Sequence, residues 1–477
     1  MKAVAAVDLG ATSGRVILGH VGHGELQLRH ISRFPNQPVR THEGFTSALH
    51  WNILELYRSV TAGLTNAFRD EPEVVSVAVD SWAVDYALLR GGRTLGAPYH
   101  YRDNRTGQGV TDVHSRISPE DLYERNGLQH LAFNTLFQFA AERDVLALAD
   151  QALLVPDLVG YWLTGIAATE VTNASTTGLL DPRTRTWDTD LLSRLDFPGS
   201  ILAPLIEPGT RLGSLLPTVA AELRAPTSIE VVAVGSHDTA SAVVAIPSTS
   251  DEVAYISSGT WSLVGVELSS PVLTPGARTA NFTNEGGVDG RTRFLKNVSG
   301  LWLLSESIRT WEAQSGDRIS LPTLIAEAAA VPEPVTTFDA SDELFIDPGD
   351  IPSRIAEWCT EHTATPPATR AEFVRSILES LAEAYATTLR QATTLSGQHV
   401  EAVHIVGGGS ENALLCQLTA NRTGLTVLAG PTEATAIGNI LIQARTQRIV
   451  TGSLESLRAL VAQAFPPTRY LPESSPS

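Results

Sequence analysis

Cysteine is nearly absent from the chain: Cys359 and Cys416 are the two in 477 residues. That density excludes a disulfide scaffold and a zinc ribbon, and both thiols are expected to be buried apolar side chains. Lysine is equally scarce, with Lys2 and Lys296 alone, so nearly all of the 34 basic residues are arginine. Positive charge is in deficit: 34 basic against 52 acidic side chains leave a formal net charge of −18. Such a surface repels nucleic acid and anionic membrane, and neither is expected as a partner. A small phosphate ligand remains admissible, because nearby backbone amides and a metal outweigh distant charge. No apolar run reaches the roughly 18–20 residues that span a bilayer. The opening M-K-A-V-A-A-V-D-L-G meets a charge at Asp8, too early for a signal peptide. A cytoplasmic protein is expected.

Two nucleotide signatures are missing as well. There is no G-x-x-x-x-G-K-[ST], which excludes a P-loop enzyme, and no G-x-G-x-x-G between a first strand and a helix, which argues against a dinucleotide site. What is present is an ordinary globular composition, 43% hydrophobic and 18% charged. The length predicts two to three domains, since single cores seldom grow beyond roughly 250–300 residues.

Periodicity gives an α/β chain. Val4–Asp8, Arg15–Gly19 and Leu26–Phe34 read as strands, Trp51–Phe68 as an amphipathic helix, and Val74–Val79 as a buried strand. A strand, glycine turn and strand return at Val253–Ser257, Ser258–Thr260 and Trp261–Leu268. Strands are predicted near Thr279–Thr283 and Thr292–Lys296, and a long helix over Ala371–Thr394. Val403–Val406 and Thr426–Ala429 each run through a glycine turn into a helix. The recurrence of the β-turn-β device indicates an old duplication. A boundary is expected near Ile246–Asp251, where Pro247, Ser248, Thr249 and Ser250 break the pattern.

Glycine-rich turns follow apolar strands around Gly10, Gly259, Gly407–Gly409 and Gly430. One such turn is only a turn; four in a two-domain α/β chain suggest a nucleotide. In D-L-G-A-T-S-G-R the amides and the Thr12 and Ser13 hydroxyls suit phosphate oxygens, and Asp8 suits Mg²⁺ held through water. The plainer reading is a hairpin whose Asp caps its own turn. Val231–Val234 should deliver His237, Asp238 and Thr239 to a strand end, where open α/β folds bind ligands. Asp238 is the best general-base candidate; a mere helix cap is about as good a reading from spacing alone. Asn297, beside the rare Lys296, suits a polyol hydroxyl, or is simply an exposed strand end. Trp82 and Tyr86 suit sugar stacking but are read more readily as core aromatics.

Together these segments resemble the FGGY family of carbohydrate kinases, within the actin-like and ribonuclease H-like ATPases. The similar stretches include A-V-D-L-G-A-T-S-G-R-V, W-A-V-D-Y, Y-R-D-N-R-T, T-N-A-S-T-T, S-H-D-T-A-S-A-V, I-S-S-G-T-W-S-L-V-G, T-N-E-G-G, L-K-N-V-S-G-L-W-L-L, H-I-V-G-G-G-S-E-N and A-G-P-T-E-A-T-A-I-G-N. They run in order from residue 5 to 439 and are most similar to the branch that acts on L-rhamnulose. The resemblance implies two ribonuclease H-like domains with an active-site cleft between them. Residues 1–246 would bind sugar and carry the phosphate loop and base, and 247–477 would bind nucleotide. It implies ATP- and Mg²⁺-dependent phosphorylation of the L-rhamnulose 1-hydroxyl by a monomer or small homo-oligomer. Asp238 falls on the family's catalytic base. His237, Asp238, Thr239, Asn297 and Ala83 fall on substrate positions. Ala11, Thr12, Ser13, Gly14, Arg15, Thr260 and Gly408 fall on ATP positions. Ser305 stands where the family commonly carries a nucleotide-contacting Gln, a departure that shortens its reach. The alternatives are a kinase for L-fuculose, xylulose or gluconate, or a non-catalytic actin-like ATP-binding protein.

Overall fold

Small and β-branched residues at the N-terminus produce a three-strand meander in the computed structural model of the chain. Every residue is described except His23, Phe45, Asp251, 346–348 and 474–477. The Pro- and Ser-rich end of the chain therefore lies partly outside the described residues. The meander comprises β1 (Lys2–Leu9), β2 (Ser13–Gly22) and β3 (Glu25–Pro35). After Lys2, β1 is buried throughout, which is why its residues are almost all apolar. Helix α1 (Ile53–Asp70) buries Ile53, Leu56, Val60, Leu64 and Phe68 on one face and leads into β4 (Val74–Ser81). Later come β5 (Arg211–Ser214), β6 (Glu230–Val232) and helix α2 (Asp238–Val244).

The second run begins with β7 (Val253–Ser258) and β8 (Trp261–Leu268), then β9 (Thr292–Ser299) and helix α3 (Trp302–Ser315). Helix α4 (Arg370–Ser396) starts at a full capping box, Thr369 with Glu372, and stops at Gly397 in the left-handed region. Then follow β10 (Ala402–Val406), α5 (Ala413–Thr423), β11 (Thr426–Ala429), α6 (Ala434–Thr446) and β12 (Thr468–Tyr470). Between β8 and β9 the strand expected at Thr279–Thr283 is instead a short helix, Pro275–Thr279, followed by a strand at Thr283–Gly286. Thr274 caps that helix by accepting the Ala277 amide, and Pro275 fits its first position, which outweighs the β-propensity of the threonines.

The chain forms two compact units. Unit 1 comprises Met1–Thr249, Glu267–Phe294 and Ala434–Phe465; unit 2 comprises Ser250–Val266, Leu295–Glu433 and Pro466–Ser477. The sheet of unit 1 has the order β3-β2-β1-β4-β6-β5. Its β1–β2 and β2–β3 pairs are antiparallel, β1–β4 and β4–β6 are parallel, and β5 returns antiparallel at the edge. In the second sheet β9, β8, β7, β10, β11 and β12 lie side by side in that order. There too β7–β8 is antiparallel, β7–β10 and β10–β11 are parallel, and β12 is an antiparallel edge. The same meander followed by parallel strands defines both sheets, the ribonuclease H-like plan. Within unit 1, α6 packs against α2 at Gly438, where an added Cβ would lie 1.8 Å from the Ser241 carbonyl oxygen. Gln443 on α6 donates to the Ala5 carbonyl and accepts from the Ser76 hydroxyl, fixing the helix to the sheet. Cys359 and Cys416 are both buried and unpaired by disulfide. Among the described residues no helix is long and apolar enough to cross a membrane.

Candidate active site

Three adjacent parallel chain segments of unit 1 end in acidic residues. Asp8 and Asp80 are register partners at the ends of β1 and β4. Ser81 pairs with His237 in a parallel bridge, which sets Asp238 next in line. The carboxyl ends of parallel strands are where open α/β sheets bind ligands. Asp8 accepts the Arg15 Nε–H at 2.9 Å across the hairpin. The turn between them is closed by Gly10 N–H donating to the Ser13 carbonyl and held by Asn36, which donates to the Gly10 carbonyl. Gly14 lets the Phe34 ring pack on the hairpin, since a Cβ there would lie 2.3 Å from it. Thr12 stays exposed at the tip, between half-buried Ala11 and Ser13.

Asp80 is fully buried. Its Oδ2 accepts the Asn439 amide at 2.6 Å, and its Oδ1 has no hydrogen-bond partner among the described residues. Burial, and then the charge of Asp8, push the Asp80 carboxyl well above its ordinary range. A carboxyl in that setting holds either a proton or a cation. Hard oxygen ligands from Asp8 and Asp80, one of them orphaned, fit a divalent ion such as Mg²⁺.

Asp238 occupies the first helical position of α2 with its side chain about 30% exposed. Its carboxylate accepts the Thr239 hydroxyl at 3.1 Å. The segment before it is held by Glu170, which is 1% exposed. Glu170 accepts hydrogen bonds from the Ser236 amide and hydroxyl and from the Thr172 amide and hydroxyl. Burial raises the Glu170 carboxyl and these donors oppose the rise. His237 is packed against buried Glu285 and fully buried Arg293. Burial alone would raise Glu285, but the Arg293 charge holds it below the ordinary carboxylate range.

Ala83 is half-buried and lies in a tight turn, where the Asp85 amide donates to the Ala83 carbonyl and Val84 takes φ +66°. Asp85 fixes this turn by accepting Trp51 Nε1–H, Trp82 Nε1–H and the Tyr101 amide on one oxygen and the Gln138 amide on the other. Burial raises its carboxyl to about 6 despite those donors. Trp82 and Tyr86 are buried, so both are core aromatics.

In unit 2 the side chains are sparser and the backbone approaches closely. The β7–β8 turn is closed by Gly259 N–H donating to the Trp261 carbonyl, and its Gly259 and Thr260 carbonyls receive the Leu301 and Trp302 amides before α3. Gly300 fits against this turn only without a Cβ, which would lie 2.6 Å from the Trp261 backbone. After β10, Gly407 takes φ +81°, and a Cβ on Gly409 would meet the Ser258 hydroxyl at 2.1 Å. Gly408 between them is exposed with open space around it. Thr260 and Asn297 are half-buried, and Ser305 is exposed on α3.

Unit 1 thus gathers Asp8, Ala11–Arg15, Ala83 and His237–Thr239 from the expected set, and unit 2 holds Thr260, Asn297, Ser305 and Gly408. Sequence reading gave no role to Asp80, Glu170, Glu285, Arg293 or Asn439. Glu285 and Asn439 lie in stretches quoted above, but only the fold shows which residues these five meet.

The N-terminal domain model of the FGGY family of carbohydrate kinases matches residues 3–245, and the C-terminal domain model matches 254–446. The chain belongs to the FGGY family of carbohydrate kinases. It is 40% identical over 473 residues to a rhamnulokinase from Bacteroides thetaiotaomicron, covering 98% of this chain and 95% of that one. It is 38% identical to a rhamnulokinase from Lactiplantibacillus plantarum, covering 100% and 96%. Among solved structures, a ligand-bound xylulose kinase from Lactobacillus acidophilus aligns with TM-score 0.79 at 15% identity, covering 99% of this chain and 94% of that one. Plasmodium falciparum glycerol kinase with ADP aligns with TM-score 0.77 at 14% identity over the same shares. These distant likenesses speak for the fold, which is the two-domain FGGY kinase fold. As a member of that family the chain is a sugar kinase, a transferase that takes a sugar and ATP.

Proposed function

We propose that the chain transfers the γ-phosphoryl group of ATP to the 1-hydroxyl of L-rhamnulose, giving L-rhamnulose 1-phosphate and ADP in L-rhamnose degradation. The observation that carries the mechanism is the accessible carboxylate of Asp238 at the end of the parallel segments, tied to a neighbouring hydroxyl rather than buried in an ion pair. The rhamnulokinases at about 40% identity support the choice of ketose. Phosphoryl transfer needs positioning and charge stabilisation more than covalent chemistry. Asp238 accepts the hydroxyl proton as the sugar oxygen attacks. His237, Thr239, Ala83 and Asn297 contact the ketose. Ala11, Thr12, Ser13, Gly14, Arg15, Thr260, Gly408 and the short Ser305 serve ATP. Asp8, through water, and Asp80 would hold Mg²⁺, which neutralises charge on the phosphate oxygens. The functional halves are 1–246 for sugar, phosphate loop and base, and 247–477 for nucleotide. The reaction belongs in the cytoplasm, where ATP is supplied.

The test is ADP release, coupled to an indicator enzyme, across L-rhamnulose, L-fuculose, xylulose and gluconate. L-Rhamnulose should give the highest kcat/KM. A higher value for another sugar would replace the substrate and leave the kinase assignment standing.

A further inference from the structure

Three atoms form a nearly equilateral triangle beneath the sugar-site histidine. Arg293 Nη2 lies 3.0 Å from His237 Nδ1 and 3.1 Å from Glu285 Oε2, and Nδ1 lies 3.2 Å from Oε2. All three side chains are at most 7% exposed, so water does not resolve their competition. A guanidinium can only donate, and therefore asks for a lone pair on Nδ1; a carboxylate can only accept, and asks for a proton there. Geometry separates the two demands. The Arg293 N–H is directed at Nδ1 within hydrogen-bond limits. Oε2 sits at ion-pair distance from both and accepts no well-aligned hydrogen bond among the described residues. The guanidinium is itself fixed, since its Nε–H donates to the Gly286 carbonyl at 2.9 Å. On the other side of the ring, Nε2 lies 3.5 Å from Asp238 Oδ1 with no hydrogen bond between them, so a proton on Nε2 is left for a bound oxygen.

We infer that Arg293, with Glu285 balancing its charge, is a positioning residue that holds His237 as the neutral tautomer protonated on Nε2. His237 then presents a hydrogen-bond donor to a ketose oxygen while its neighbour Asp238 acts as acceptor. One residue donates and the next accepts, so the pair distinguishes the ketose oxygen that is bound from the hydroxyl that loses its proton. This inference rests on the proposed sugar-kinase site and adds the polarity of its histidine.

The primary test is ¹⁵N NMR of histidine-labelled full-length protein, with the His237 signals assigned by their absence in His237→Gln. Wild-type protein should show a protonated Nε2 and an unprotonated, hydrogen-bonded Nδ1. A neutral ring protonated on Nδ1, or a doubly protonated ring, would overturn the inference. In Arg293→Met, Nδ1 is released to donate to Glu285, so the Nδ1-protonated form should grow. Ketose KM should rise about tenfold, as expected for one lost oriented hydrogen bond, with kcat changed less. A fall in kcat at unchanged KM would contradict the assignment. If Arg293→Met does not fold, Glu285→Gln supplies the second variant and should keep the Nε2-protonated form, because the Arg293 donor remains. Failure of wild-type protein to phosphorylate any ketose would refute the functional reading, while the NMR result would still decide the tautomer.

Discussion

Around the candidate site residues, unit 1 is marked by buried charged side chains and unit 2 by closely packed glycine turns. In unit 1, Asp8, Asp80, Glu170, Glu285 and Arg293 are almost wholly removed from water, and each is fixed by named donors or opposite charges. In unit 2, the turns pack closely at Gly300, Gly407 and Gly409, where a Cβ would lie 2.6, 2.9 and 2.1 Å from its neighbours. The first arrangement suits a reactant whose proton has to move and whose hydroxyls differ in role. The second suits a triphosphate, which backbone amides can approach only where no Cβ intervenes. The two regions should therefore fail differently: unit 1 when a polar atom is exchanged, unit 2 when a methyl group is added.

The largest effect is expected at the base. Asp238→Asn keeps the shape but cannot accept the proton, and a lost general base costs about 10²–10⁴-fold in rate. Steady-state assays should show that loss in kcat, with affinity for an unreactive ATP analogue nearly unchanged. Glu170→Gln comes next. An amide in place of the carboxylate confronts at least one of the Ser236 and Thr172 donors with another donor. About 3 kcal/mol of stability should be lost in urea unfolding, since an unsatisfied buried donor costs that order.

The matching change in unit 2 is Gly409→Ala, which forces a methyl group onto Ser258. Overpacking of this kind costs about 2 kcal/mol. Gly408→Ala, one residue away in open space, should leave the urea midpoint within the error of wild type.

Acid sensitivity sharpens the contrast from the unit 1 side. Burial, and then the charge of Arg102, hold the His100 ring down to about 3, and its Nδ1 accepts the Arg102 amide as a neutral ring must. The unfolded chain takes up this proton first, near pH 6.5, so the folded state loses stability as pH falls through the interval down to about 3. Between pH 7 and pH 5 that loss amounts to about 2 kcal/mol. His100→Gln should lose correspondingly less over the same interval in urea titrations. A smaller effect on function is expected for Asn297→Ala, where one polar contact to the ketose is worth about fivefold in affinity, with the ATP analogue unaffected.

Much of this was legible in the chain itself. The β-turn-β devices at Gly10 and Gly259 carry their apolar runs openly, and β8 fell on Trp261–Leu268 as expected. The resemblance supplied the family. The helix at Pro275–Thr279 was missed because its cap, Thr274 before Pro275, is weaker in sequence than the β-branched residues that follow. Asp80 follows directly on the buried run Val74–Val79; its pairing with Asp8 depends on the register of two strands far apart in sequence. Glu285 and Arg293 lie on neither side of any spacing rule with His237. Their meeting follows from the segment Glu267–Phe294 clustering with unit 1, a long-range consequence of packing.

The division of labour is tested most directly by paired titration of wild type, His237→Asn and Gly408→Val with L-rhamnulose and with an unreactive ATP analogue. His237→Asn should lose about tenfold in ketose affinity and keep its analogue affinity, and Gly408→Val should show the reverse. Loss of analogue affinity in His237→Asn, or of ketose affinity alone in Gly408→Val, would contradict the account.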